Sequence, residues 1–392
     1  MRVGIVSHGV MDESLLGGPG RVASRHAVAL AAQGHEVRVV TTDLVRKGLR
    51  THTPHFSFAA DTQGVRITSL PAYSLRRWPG AVGPLYVPGL RSVLKEMVNW
   101  ADVVHAHEWP TALTQVARRE AGKSGTPCFI QPHGTIATRG GWKGAAHRTY
   151  NRLHRPNGDE LFIVFSAPEA KEVRDAFGTD IAVQELGNPT PACLLTEDAP
   201  EVSRRRVGWG FPEASTIALY AHRIAPNKGL DLLIEAFAQL PKDYCLAILG
   251  EDATFPAFSS HCRALIERLD LHTRIAFGGP FASAEADEVI LAADLFILPA
   301  RFDIFPLMVL NALACGRPVV MTRTCQAIDS LGEATVIADP EPESLAKAIS
   351  SLSPIQRRQL SSAGRALVEA RFSNEAIGAR LEQYYVSKLT AH

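Results

Sequence analysis

Two cations, Arg223 and Lys228, stand five residues apart in Y-A-H-R-I-A-P-N-K-G, between an apolar run and the helix-like L-D-L-L-I-E-A-F. At the mouth of a sheet, like charges this close repel unless solvent or an anion answers them, and a diphosphate meets that demand. A second stretch, P-A-R-F-D-I-F-P-L-M-V-L-N-A-L-A-C-G-R-P-V-V from Pro299 to Val320, reads as loop, helix and strand. Pro306 suits the first helical position, where no N–H is missed, and Gly316 suits the C-terminal end. Asp303 precedes the helix, and Asn311 lies about five residues inside it, roughly 7.5 Å along the axis. The free N–H groups at that helix start, with the helix dipole, favour an anion without a charged side chain. Each segment alone has a plainer reading, as solvated cations or as a capped helix with a buried amide. Together they point to phosphate chemistry.

The elements that must position these residues follow a regular rhythm. Apolar runs rich in Val and Ile occur at Arg2 to Ser7, Glu36 to Thr41, Asp102 to His105, Cys128 to Gln131 and Leu161 to Phe165. The second half repeats them at Thr216 to Tyr220, Cys245 to Leu249, Arg274 to Phe277, Leu295 to Leu298 and Pro318 to Met321. Near-continuous apolar strands alternating with helices predict parallel sheets covered on both faces. The fold class is therefore α/β, as two Rossmann-like doubly wound domains: residues 1–190, residues 191–372, and a terminal helix over 373–392. The junction falls at Gly187 to Pro200, where N-P-T-P interrupts regular structure. The terminal helix starts at the N-cap Ser373 and places Ile377, Leu381, Tyr384 and Leu389 near one face, from which it is expected to cross back over the junction. Two such domains facing each other would share a cleft at the C-terminal ends of both sheets.

Composition limits the alternatives. The chain has 392 residues, 46% apolar and 21% charged, with a formal net charge of +1, so no overall field draws it to nucleic acid. Six cysteines stand far apart without a C-x-x-C pair, which argues against a disulfide framework or a structural zinc site. The N-terminus reads as a first strand rather than a signal peptide, and no apolar run reaches the length of a spanning helix. A cytoplasmic location is expected. The first half nevertheless carries a surplus of basic side chains and the second a surplus of acidic ones. Among fourteen histidines only His133, after the strand Cys128 to Gln131, stands out as a site candidate. His105 and His107 read as a packed turn or an acceptor wall, and H-A-H lacks the neighbouring carboxylates or thiolates of a metal motif.

The two phosphate-side segments resemble the signatures of retaining glycosyltransferases with the GT-B fold, of the family-four or group 1 type. That family carries G-R-x-x-x-x-K-G before an apolar helix, then E-x7-E ending in E-A-x-A-C-G-x-P-V-V. The resemblance extends to L-G-G-P-G-R-V-A-S-R-H-A-V-A-L-A-A-Q-G-H-E-V-R-V-V-T-T, D-V-V-H-A-H and Q-P-H-G in the first half. It implies transfer of a sugar from a nucleotide-diphosphate sugar to an acceptor hydroxyl, in bacterial polysaccharide, glycolipid or glycosylated-metabolite synthesis. No metal and no cofactor beyond the nucleotide sugar as co-substrate is implied. By the same resemblance Arg223 and Lys228 grip the diphosphate, Asp303 holds donor-sugar hydroxyls, and Asn311 faces the ribose. Gly17 and Gly18 line the phosphate side, His133 lies beside the donor sugar and acceptor, and Gly250, Ile304, Phe305, Pro306 and Leu307 complete the donor site.

This sequence departs from the family pattern at Asp303 and Asn311, where glutamates are usual. An amide in place of a carboxylate forfeits a charge-assisted bond, worth roughly 1 kcal/mol or about five- to tenfold in donor affinity. Ile304 and Pro306 replace two glycines, and His222 stands where glycine usually precedes the arginine. The acceptor, a sugar, a lipid-linked or a small molecule, is expected on the first domain beside the irregular segments Thr51 to Asp61 and Tyr73 to Tyr86. There Arg76, Arg77, Arg139, Lys143, Arg148, Arg152 and Arg155 are candidates for a lipid diphosphate or an anionic leaflet, which would place the protein at the inner face of the cell membrane. The competing class is a degenerate GT-B binding subunit that supports a partner enzyme, suggested by Asp303 and Asn311. A nicotinamide oxidoreductase lacks its G-x-G-x-x-G turn here.

Overall fold

The computed structural model describes residues 1–9, 18–46, 49–50, 65–74, 85–136, 141–156 and 159–390. They form two compact units. Unit 1 comprises Met1–Pro189 with Asn374–His392, and unit 2 comprises Thr190–Ser373.

Unit 1 is built on a seven-stranded, all-parallel sheet. Its strands are β1 (Arg2–Val6), β2 (Glu36–Thr42), β5 (Val65–Leu70), β8 (Val103–His107), β9 (Cys128–Gln131), β10 (Leu161–Val164) and β11 (Ala182–Glu185), in the spatial order β11-β10-β9-β8-β1-β2-β5. Two short antiparallel ribbons, β3 (Leu44–Arg46) with β4 (Leu49–Arg50) and β6 (Tyr73–Ser74) with β7 (Leu85–Tyr86), lie outside it. The central strands β8, β9 and β10 are buried at every residue. The unit's helices are α1 (Gly18–Ala32), α2 (Leu90–Trp100), α3 (Ala112–Ser124), α4 (Gly141–Leu153), α5 (Ala167–Phe177) and the terminal α14 (Asn374–Thr390).

Unit 2 repeats the plan with six parallel strands: β12 (Thr216–Ala221), β13 (Tyr244–Leu249), β14 (Ile275–Gly279), β15 (Leu295–Leu298), β16 (Val319–Thr322) and β17 (Thr335–Ala338), ordered β14-β13-β12-β15-β16-β17. Its helices are α6 (Pro200–Gly208), α7 (Leu230–Phe237), α8 (Pro256–Arg268), α9 (Ala286–Leu291), α10 (Leu307–Ala314), α11 (Ile328–Leu331), α12 (Pro342–Ser350) and α13 (Pro354–Arg371). The α/β reading therefore holds for both halves. Of the sheet strands that apolar continuity missed, β5 (V-R-I-T-S-L) and β11 (A-V-Q-E) lie at sheet edges and carry polar residues along their length, whereas the edge strand β17 (T-V-I-A) is near-continuously apolar and has no such reason to be missed.

One local expectation needs correction. The inward residue of α14 is Tyr385, fully buried with Ile377 and Leu381, while Tyr384 lies at the surface and donates its hydroxyl to the Glu185 carbonyl. Ile377, Leu381 and Tyr385 stand at successive i, i+4 steps, and this row is the buried one. Gly378 lets the two helices approach, since a Cβ there would stand 3.2 Å from the Ala29 carbonyl oxygen. In unit 2, Cys193 and Cys315 meet despite their separation in sequence. Both thiols lie within 4.8 Å of the Asp287 carboxylate and of each other. Among the described residues no helix is long and apolar enough to cross a membrane.

Candidate active site

Neighbouring parallel strands whose connections leave in opposite directions open a crevice at their C-terminal ends. In unit 2 that pair is β12 and β15. Arg223 and Lys228 follow β12, Gly250 follows β13, and Asp303 to Leu307 follow β15.

The structure joins Lys228 to Asp303, with Nζ donating to Oδ2 at 2.5 Å and both side chains largely buried. The chain's own carboxylate thus answers one of the two cations, so the expected repulsion between them is relieved from within. Arg223 is exposed, and its side chain has no hydrogen-bond or ion-pair partner among the described residues. The other oxygen of Asp303 accepts from the Ile304 amide at 2.8 Å, which fixes the carboxylate in place.

Several contacts stitch the two loops together. Arg301 forms a bidentate pair with Asp231 at 2.7 and 2.8 Å, and the Arg301 and Phe302 amides donate to the Asn227 carbonyl at 2.8 and 3.2 Å. Gly229 makes this approach possible. Its φ is +69°, and a Cβ there would fall 2.0 Å from the Pro299 carbonyl oxygen. Gly250 plays the same part on the other side, with a Cβ position 1.9 Å from the His222 oxygen and 3.4 Å from the Arg223 amide nitrogen.

Pro306 proves to be the N-cap of α10 rather than its first residue, and no side chain among the described residues caps the helix. Its first-turn amides, beginning at Leu307, have no acceptor inside the helix. Phe305 anchors the turn by packing edge-on against Phe372, 5.6 Å between ring centroids. Asn311 turns inward, is buried, and sets its Nδ2 3.9 Å from the Met308 sulfur. His222 is buried edge-on to Tyr220 and Phe296. Burial, reinforced by Lys228, holds its pKa well below the usual histidine value, so the ring is neutral near pH 7.

In unit 1 the reversing pair is β1 and β8. His8 follows β1 and Glu108 follows β8, and their side chains pair. Burial opposes a charge on His8, but the adjacent Glu108 outweighs it and raises the pKa above its ordinary value. Glu108 and His133 both have left-handed backbones, φ 71° and 57°, which side chains other than glycine rarely adopt. His133 Nε2 lies 2.9 Å from His107 Nδ1, and its ring meets Phe165 edge-on. Burial, then His105 and His8, lower its pKa to about 3, so it acts as a neutral hydrogen-bonding group.

The turn after His133 is held by Glu169 of α5, which accepts from the Gly134 amide at 2.5 Å and the Phe165 amide at 2.8 Å. Burial drives this carboxyl up to about 7. His8, Glu108 and Glu169 escaped sequence reasoning; the available signal was a polar residue just past the strand for His8 and Glu108, and the S-x-x-E start of α5 for Glu169. His105 and His107 form the end of β8 rather than a turn. Gly18 opens α1 at the surface, and a Cβ there would meet nothing within 4 Å among the described residues.

Gly17, Arg76, Arg77 and Arg139, the segment Thr51 to Asp61 and the Lys143 side chain lie outside the described residues. Of the remaining basic candidates, Arg148 and Arg152 are exposed on α4 and Arg155 pairs with Asp180.

Residues 202–367 match the family described as Glycosyl transferases group 1, and residues 17–186 match the Glycosyl transferase 4-like domain. A D-inositol 3-phosphate glycosyltransferase of Kineococcus radiotolerans is 25% identical over 88% of this chain and 84% of its own length. A glycogen synthase of Mycobacterium tuberculosis is 27% identical over 96% of this chain and 90% of its own. Among solved structures, a glycosyltransferase from Rickettsia africae superposes with a TM-score of 0.76 at 17% identity, covering 100% of this chain and 99% of that one. Anabaena HepE, solved with UDP-glucose, gives 0.73 at 18%, covering 100% of both chains. Two family matches that divide the chain as its two sheets do, with these relatives along nearly its whole length, make it a member of the group 1 glycosyltransferases, GT-B enzymes that use nucleotide sugars.

Proposed function

We propose that this enzyme transfers a sugar from a nucleoside-diphosphate sugar to an acceptor hydroxyl with retention of anomeric configuration, without a metal ion on the diphosphate. The observation that carries this reading is the set of groups past β12 and β15: the unpartnered Arg223, the Lys228–Asp303 pair, and the uncapped start of α10. Fixed positive charge and amide dipoles aimed at the leaving oxygen stabilise the negative charge that grows there. The bond from the anomeric carbon to the phosphate oxygen breaks, and the bond to the acceptor oxygen forms on the same face. The acceptor proton passes to the departing phosphate oxygen. Asp303 holds donor-sugar hydroxyls through the oxygens it shares with Lys228 and Ile304, and Asn311 serves the ribose. In unit 1, neutral His133 hydrogen-bonds to donor sugar or acceptor, and Gly18 lines the phosphate side.

The curated relatives include enzymes named for D-inositol 3-phosphate and for a phosphatidylinositol monomannoside, which supports a phosphorylated polyol or lipid-linked acceptor for unit 1. Exposed Arg148 and Arg152 suit such an anion, or the inner face of the cell membrane.

Thermal-shift screening with UDP-, GDP-, ADP- and dTDP-sugars tests the donor assignment, since a ligand at 100 times its Kd stabilises by about 2.7 kcal/mol. One donor is expected to stabilise the wild type and to lose affinity in the Arg223→Ala/Lys228→Ala double variant; unchanged affinity would overturn the assignment. An inverted product by NMR would refute retention, and a requirement for Mg2+ or Mn2+ would refute metal-free departure. The buried amide of Asn311 also supports the second reading, a donor-binding subunit without turnover. Binding without transfer across a panel of acceptors would establish that reading instead.

A further inference from the structure

Histidines from three elements converge inside unit 1. His105 and His107 alternate with Ala106 on β8, so both rings project from one face, stacked with centroids 4.5 Å apart. His26 of α1 lies against both, at 5.5 and 5.4 Å. All three are fully buried, and one ring nitrogen from each lies within 4.8 Å of the other two.

Their hydrogen bonds are divided unevenly. His105 Nδ1 is held by the Tyr385 hydroxyl at 2.8 Å, and His107 Nδ1 by His133 Nε2 at 2.9 Å. His105 Nε2, His107 Nε2 and both nitrogens of His26 have no partner among the described residues. Gln131, the register partner of His107 on β9 and so on the same face, also leaves both amide atoms unpartnered. Buried polar atoms almost always have partners, so a cluster of orphans calls for a common one. Rings fixed at Nδ1 by a second group, with Nε2 left for a shared point, have the arrangement of metal-ligating imidazoles.

We propose that His26, His105 and His107 form a site for a borderline divalent transition metal, Zn2+ foremost, bound through Nε2 of His105 and His107 and one ring nitrogen of His26. Imidazoles without a carboxylate suit zinc, cobalt or nickel and do not suit magnesium or calcium. Ligation at Nε2 places the ring protons on Nδ1, so His105 donates to the Tyr385 oxygen and His107 donates to His133 Nε2. His133 then carries its own proton on Nδ1. The metal thereby orients His133 and ties α14 to the sheet through Tyr385, and the Gln131 amide is the polar neighbour that a metal-bound water needs. The H-A-H spacing could not reveal this alone, because its third ligand comes from another element.

The test uses the full chain, stripped with a chelator and dialysed. After exposure to Zn2+ and desalting, elemental analysis is expected to find about one zinc per chain, and Co2+ is expected to give the visible absorption of a four-coordinate nitrogen site. His26→Leu should lose the bound metal, and Tyr385→Phe, which removes only the outer hydrogen bond, should weaken it about 10- to 100-fold. Failure of the wild type to retain zinc, or unchanged stoichiometry in His26→Leu, would overturn the proposal. Should His26→Leu fail to fold, unaltered zinc affinity in Tyr385→Phe would overturn it instead.

Discussion

Replacing Gly229 by alanine tests whether the loops past β12 and β15 are pressed together as closely as the site requires. Two effects separate cleanly. The left-handed φ of +69° costs a side chain about 1–2 kcal/mol wherever it occurs. The Cβ would also stand 2.0 Å from the Pro299 carbonyl oxygen, so that segment must retreat by about an ångström to restore ordinary contact. The retreat pulls Arg301 and Phe302 from the Asn227 carbonyl, two hydrogen bonds worth about 0.5–1.5 kcal/mol each. The expected loss for Gly229→Ala is about 2–5 kcal/mol. Gly210, also in unit 2, is the internal control: its φ is +73°, but a Cβ there meets nothing within 4 Å. Gly210→Ala should therefore lose only the backbone part, about 1–2 kcal/mol. Differential scanning calorimetry of both variants reads the difference, and thermal shift with the preferred nucleotide sugar should show weakened binding in Gly229→Ala alone. If the two variants are equally stable and bind donor equally, the close approach at Pro299 does not constrain the site.

Three further outcomes follow from other contacts. The Glu169 carboxyl has a pKa near 7 when folded and an ordinary one when unfolded, so the folded state binds its proton more tightly between those values. Stability should fall as pH rises from about 4.5 to about 7, by about 1–3 kcal/mol, and Glu169→Gln should remove that slope; parallel urea-midpoint profiles for the two proteins would contradict the assignment. Tyr385→Ala should cost about 3–5 kcal/mol in urea unfolding while Tyr384→Ala costs less than about 1 kcal/mol, and equal losses would contradict the inward face assigned to α14. Asp303→Asn frees Lys228 and should tighten free nucleoside diphosphate about two- to tenfold by calorimetry while slowing transfer; weaker diphosphate binding would show that the ion pair is needed to place Lys228.

The α/β class, both sheets and the loops that carry the site were legible in the sequence because strands buried on both faces must be apolar along their whole length. The punctuation between them, Pro306 before α10 or Gly229 before α7, is local chemistry. Edge strands β5 and β11 were not legible, since water on one side admits polar residues that break the run. The partners of the site residues were decided by tertiary structure alone. Nothing in the spacing pairs Lys228 with Asp303 rather than leaving it to an external anion; that follows from β12 and β15 being neighbours. Glu169 reaches the His133 turn because β9 and β10 are adjacent, and His26 reaches β8 because α1 packs over that face. Local sequence determines which segments are strand, helix or turn. Strand order and register determine which distant polar atoms meet, and burial then sets their charge.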